Sequence, residues 1–298
     1  MDETGTPNLV SSFSLAYVQC AAISVLKIFC FAAAWNAPNM QQTIFSHGVA
    51  LMDALGFRRK IGIVVPSTNT IVGPECEAIR PRGVTNHLAR LTIKQQPIQA
   101  SEQGYLAHVQ AMRDGIGPAI DQIMTCAPDH VIMGVAIEAF TGGVAGGDAL
   151  QKGLSERAGV AVSMGSTAGA AALRSFGAKR IAVLTPHQPK GDEIVGTYLA
   201  EAGFDVVRLV GLKCASPFAI AEIQPAQLRR ALREIDGDDI DAILQVGTNL
   251  AGGAVAADAE RWLEKPVLSM NVVTYWDALR RCGIEDRVYG CGRILEEF

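Results

Sequence analysis

The chain has 298 residues, 49% of them apolar and 19% charged, with a formal net charge of -4. That is enough apolar material for a large core and for two lobes of ordinary domain size. The negative balance argues against a nucleic-acid partner, and the basic pairs Arg58-Arg59, Arg229-Arg230 and Arg280-Arg281 are scattered as solvated faces rather than gathered in a track. Seven cysteines (Cys20, Cys30, Cys76, Cys126, Cys214, Cys282 and Cys291) form no C-x-x-C pair and leave an odd one over. Reduced thiols and a cytoplasmic location are therefore expected. His47, His87, His108, His130 and His187 have no metal-ligand spacing, so no metal or other cofactor is expected.

Residues 1–57 differ in composition from the rest. The stretch 9–35 is long enough to cross a bilayer, yet Lys27 interrupts it, and Asp2 and Glu3 stand where an export signal carries basic residues. It reads as an extension outside the fold, or as a chain started too early, since Met40 and Met52 each lie before the first clear strand. A weak membrane segment is the alternative.

From Arg59 onward short apolar runs alternate with helix-length amphipathic stretches. The runs are KIGIVVP (60–66), HVIMGV (130–135), VAVSM (160–164), RIAVLTP (180–186), DVVRLVG (205–211), DAILQVG (241–247) and PVLSM (266–270). Continuous apolar strands spaced by helices predict an α/β chain with parallel sheets covered on both faces. An internal repeat sharpens this. Residues 59–69 echo 179–189, 128–143 echo 239–253, and 160–173 echo 266–279, in the same order. The repeat predicts two pseudo-symmetric lobes, 58–175 and 176–298, with the last residues packing back on the first lobe. Ligands in such sheets bind beyond the carboxyl ends of the strands, so the active-site cleft is expected between the lobes.

The loops at those strand ends carry the candidate site. PSTNT (66–70) offers Ser67, Asn69 and Thr70, either as donors to an anion or as caps of the next helix. GVAIEAFTGG (134–143) brings Glu138, a candidate general base or a capping or ion-paired carboxylate. TPHQPKGDE (185–193) brings Thr185 and His187, whose imidazole either points into the cleft or lies in solvent. GTNLAGG (247–253) offers Thr248, Asn249 and backbone amides, which suit an oxyanion pocket and cannot move a proton near neutral pH.

The ordered set PSTNT, MG, TP, the Gly/Thr/Asn loop, YWDALR (275–280) and YGCGR (289–293) resembles the aspartate/glutamate racemase superfamily, and within it the maleate cis-trans isomerase and arylmalonate decarboxylase branch. The resemblance implies two Rossmann-like lobes, a cofactor-free site and a small carboxylate or dicarboxylate substrate. It implies Asn69 and Thr70 as carboxylate ligands, and Gly134, Val135, Ala136, Gly247, Thr248 and Asn249 around a second carboxylate or a developing enolate. It also implies association, so a homo-oligomer is the expected state, with no membrane or nucleic-acid partner. Relatives of this kind use cysteines as acid and base. Those positions fall here on Gly134 and Gly247, and a tyrosine usual after TP corresponds to His187. Glu138 and His187 remain as candidate acid and base. The expected activity is a cofactor-independent lyase or isomerase. A hydrolase using Glu- or His-activated water and a non-catalytic carboxylate binder are the alternatives.

Overall fold

The computed structural model describes residues 53–93 and 101–298; the segment read as a membrane span or a mis-start lies outside the described residues. Asp53–Phe298 forms one compact unit. In chain order its elements are β1 (Arg59–Pro66), α1 (Val72–Ala78), β2 (Val84–Leu91), α2 (Glu102–Met124), β3 (His130–Met133), α3 (Ile137–Phe140), α4 (Gly143–Ala158), β4 (Val162–Met164) and α5 (Gly165–Ser175). They continue as β5 (Arg180–Thr185), α6 (Pro189–Glu201), β6 (Asp205–Gly211), α7 (Pro217–Ala221), α8 (Pro225–Ile235), β7 (Ala242–Gln245), α9 (Gly253–Leu263), β8 (Val267–Ser269), α10 (Met270–Arg281) and α11 (Arg293–Glu297).

Two four-stranded sheets form, with orders β2-β1-β3-β4 and β6-β5-β7-β8, and every pairing is parallel. The identical orders are the repeat made visible: β1 and β3 are the inner strands of the first sheet, and β5 and β7 those of the second. Their residues Ile61, Ile63, Val64, Ile181, Val183 and Leu184 are fully buried, because helices cover both sheet faces. The fold is α/β with two pseudo-symmetric Rossmann-like lobes and a cleft between them.

The edge strand β2 was not among the predicted runs. Its sequence VTNHLARL mixes charge and amide with apolar residues, and its burial alternates rather than staying continuous, as befits a strand paired on one side only. β3, β5, β7 and β8 end earlier than their apolar runs, while β1, β4 and β6 end with theirs. β3 stops at Met133 and β7 at Gln245, and the residues beyond turn out of the sheets into the cleft.

The lobes share a core. One apolar cluster joins Ile61 and Val131 of the first sheet to Ile181, Leu244 and Leu268 of the second. The helix α10 leaves the second sheet and packs on β3, β4, α1 and α5 of the first. Polar bonds add to this apolar joint: Glu75 on α1 accepts from the Gly253 amide and from Asn271 Nδ2, both at 2.7 Å. No helix among the described residues is long and apolar enough to cross a membrane.

Candidate active site

A cavity of about 660 Å³, its open mouth included, lies at the carboxyl ends of the strands. The first lobe lines it with Pro66, Thr68, Asn69, Ile93, Met112 and Val135 to Glu138; the second adds Pro186, His187, Gln188, Pro217, Ile220 and Gly247 to Asn249. The apolar wall from α2 and α7 had no polar signal in the sequence, and Thr68 stood inside a quoted loop without being singled out.

Two strand ends meet across this cavity. Asn69 Oδ1 accepts from the amides of Ile71 and Val72 at 3.0 Å each, capping α1, while its Nδ2 donates to Thr248 Oγ1 at 3.3 Å. Thr248 Oγ1 donates in turn to the Gly134 carbonyl at 3.0 Å. Asn249 Oδ1 accepts from the Thr70 amide at 3.0 Å, and its Nδ2 donates to the Pro217 carbonyl at 2.8 Å. These side chains are therefore engaged in holding the lobes together. Among the described residues the backbone amides of Val135 and Ala136 in the first lobe and of Gly247, Thr248 and Asn249 in the second have no acceptor, which leaves donors from both lobes at the cavity.

Glu138 is the site's unusual group. It is 1% exposed on the short helix α3, lines the cavity, and neither carboxyl oxygen has a hydrogen-bond partner among the described residues. Burial raises its pKa to about 8, opposed by its own backbone amide and by the charge of Arg113 on α2. At neutral pH it is a protonated acid in an apolar pocket. The capping and ion-pair alternatives do not describe it, since it caps nothing and forms no salt bridge.

His187 lines the same cavity and is half-buried, so it is not a solvated loop histidine. Its amide donates to Thr185 Oγ1 at 3.0 Å, and the Thr185 hydroxyl donates to Asp192. Thr185 is fully buried behind the loop and does not line the cavity. Ser67 is exposed, with Oγ accepting from the Ile93 amide at 2.9 Å, and Thr70 is exposed; neither lines the cavity. Of the sequence-derived candidates, Asn69, Val135, Ala136, Glu138, His187, Gly247, Thr248 and Asn249 come together there.

Gly134 and Gly247 are both close-packed. A Cβ on Gly134 would stand 2.6 Å from Val65 Cγ1 and 3.0 Å from the Val64 carbonyl oxygen. Gly247 has φ +112°, and a Cβ there would stand 2.6 Å from Pro186 Cγ and Cδ. The amides of Gly134 and Val246 make matching bonds, to the carbonyls of Val64 and Leu184. In strand register Gly134 thus corresponds to Val246, and Gly247 to Val135. Among the described residues no cysteine lines the cavity: Cys76 is buried on α1, with burial pushing its thiol pKa far up, and Cys214 and Cys282 are buried elsewhere. Among the described residues no group of three or more His, Cys, Asp or Glu could hold a metal ion.

Comparison with known proteins agrees with this geometry. The arylmalonate decarboxylase family profile matches residues 61–295. A maleate isomerase of Nocardia farcinica is 26% identical over 245 residues, covering 80% of this chain and 96% of that protein. An arylmalonate decarboxylase of Bordetella bronchiseptica is 30% identical over 173 residues, 56% of this chain and 70% of that protein. Among solved structures, a cysteine-to-serine mutant of the Nocardia farcinica maleate cis-trans isomerase, with a covalently bound succinylcysteine intermediate, superposes with a TM-score of 0.74 at 25% identity, covering 80% of this chain and 99% of that one. With its two four-stranded parallel sheets and its cleft at their carboxyl ends, the chain belongs to the arylmalonate decarboxylase family.

Proposed function

We propose that this protein is a cofactor-independent lyase or isomerase acting on a small carboxylate, with Glu138 in place of a thiol as the proton carrier. The observation that carries the reading is the Glu138 carboxyl: buried, facing a cavity, without a hydrogen-bond partner among the described residues, and protonated at neutral pH. Family membership supports the substrate class, since relatives in the family act on maleate or arylmalonates.

The chemistry follows from charge. When a carboxylate is lost as carbon dioxide from a carbon bearing a second carboxyl group, the bonding pair moves to that carbon and spreads onto the remaining carboxylate. In this reading the amides of Val135, Ala136, Gly247, Thr248 and Asn249 hold that developing charge, supported by their lining the cavity without acceptors among the described residues. Glu138 then gives its proton to the carbon and is left as a carboxylate, which Arg113 steadies through its charge. His187, half-buried on the facing wall, is placed to relay a replacement proton from solvent. A protonated acid suits delivery of a proton better than activation of water, and among the described residues no cysteine lines the cavity for covalent addition to a double bond. Both points favour the lyase over the hydrolase and over a thiol-dependent isomerase.

Proton NMR in deuterated water, with maleate, arylmalonates, hydroxy-dicarboxylates and cyclic amides, tests the proposal. Loss of carbon dioxide, or deuterium entering next to a carboxylate, is expected. Ring opening or amide cleavage without such exchange would make the protein a hydrolase, and saturable ligand shifts without turnover would make it a binder.

A further inference from the structure

The second lobe contains a buried polar pair that the first lobe lacks. At matching ladder positions, Met133 pairs with Met164 at the ends of β3 and β4, whereas Gln245 pairs with Ser269 at the ends of β7 and β8. All four side chains are buried, so the substitution of two apolar residues by two polar ones needs a physical reason.

The hydrogen bonds supply it. Gln245 Nε2 donates to the carbonyls of Val246 at 2.9 Å and Gly247 at 3.0 Å, and Gln245 Oε1 accepts from Ser269 Oγ at 2.8 Å. Two carbonyl acceptors on one side and a hydroxyl on the other fix which end of the amide is nitrogen, and use its full donor capacity. In a trans peptide the carbonyl and the N–H point in opposite directions. Holding the carbonyls of Val246 and Gly247 toward Gln245 therefore turns the N–H groups of Gly247 and Thr248 the other way, and both residues line the cavity. The Pro186 ring packs beside Gly247, filling the space that a Cβ there would need.

We infer that Gln245, oriented by Ser269, is a positioning residue that aims the second-lobe backbone amides into the cleft. It touches no ligand; it acts through the peptide units at 246 to 248. The inference rests on the reading of the cleft as a carboxylate site for its functional meaning, while the clamp itself can be tested without a ligand.

The test is Gln245→Met, which installs the residue found at the equivalent place in the first lobe and conserves volume, with Ser269→Ala as a milder second variant. Residual dipolar couplings of the full chain report N–H directions. The vectors of Gly247 and Thr248 are expected to reorient in Gln245→Met, and partly in Ser269→Ala, while couplings elsewhere fit the wild-type frame. Phenylacetate, as a carboxylate probe, is expected to bind Gln245→Met about tenfold more weakly. Unchanged vectors at Gly247 and Thr248 in both variants would overturn the inference, whatever the affinity. Reoriented vectors with no phenylacetate binding by the wild type would uphold the clamp and count against the carboxylate site.

Discussion

Thr248 Oγ1 donates to the Gly134 carbonyl at 3.0 Å, tying the end of β7 to the end of β3 across the cleft. The same hydroxyl accepts from Asn69 Nδ2, so one oxygen serves three strand ends. Thr248→Val keeps the shape and removes the oxygen, leaving a buried carbonyl and a buried amide unpaired. A loss of about 1–3 kcal/mol is expected, read as a lower urea midpoint with unchanged slope, and Thr248→Ser is expected to recover most of it.

Glu75 makes a second tie, to Gly253 and Asn271 of the other lobe. Burial raises its pKa while those two bonds oppose the rise. Glu75→Ala is expected to cost about 2–4 kcal/mol. Because Asn271 Nδ2 also donates to the Thr248 carbonyl at 2.9 Å, the Glu75→Ala and Asn271→Ala losses should fall short of additivity in a double-mutant cycle. Full additivity would mean that the two side chains do not act together.

The Glu138 carboxyl makes a pH prediction with a definite sign. Its folded pKa of about 8 lies above the ordinary glutamate value of 4.5, so between those values the folded state holds the proton more tightly than the unfolded state. Stability from this group is complete below pH 4.5 and falls as pH rises through 8, by at most roughly 5 kcal/mol. Glu138→Gln cannot ionise and should flatten that slope, so that the variant is more stable than wild type at pH 9. Equal slopes in denaturation series from pH 5 to 9 would refute the raised pKa.

Gly247 is expected to resist any side chain. Its φ lies where L residues are strained, and Pro186 fills the space a Cβ would need. Gly247→Cys should lose about 2–4 kcal/mol in thermal or urea unfolding, and Pro186→Ala should relieve only the steric part of it. At Gly134 the nearest obstacle is a single methyl of Val65, so Gly134→Cys should cost less.

How much the sequence discloses depends on whether a residue acts alone or through the fold. The inner strands are legible because β1, β3, β5 and β7 are buried on both faces and read as unbroken apolar runs. β2 is not, because half of it meets solvent and its polar residues imitate a loop. Glu138 is visible as a lone carboxylate beside a strand end, but that neither oxygen meets a donor among the described residues depends on how α2, α3 and the facing lobe close around it. Thr185 looks like a ligand in sequence and instead braces the His187 loop against Asp192. Gln245 lies inside the run taken for a strand, and only the positions of two carbonyls reveal what its amide does.

The central claim is that a carboxyl, not a thiol, moves the proton. The most direct measurement is the rate of deuterium transfer to the carbon beside the carboxylate, by NMR, for wild type, Glu138→Gln and wild type treated with iodoacetamide. A fall of about 100-fold or more is expected in Glu138→Gln and no fall after alkylation, since among the described residues no cysteine lines the cavity. Full activity in Glu138→Gln, or its loss on alkylation, would contradict it.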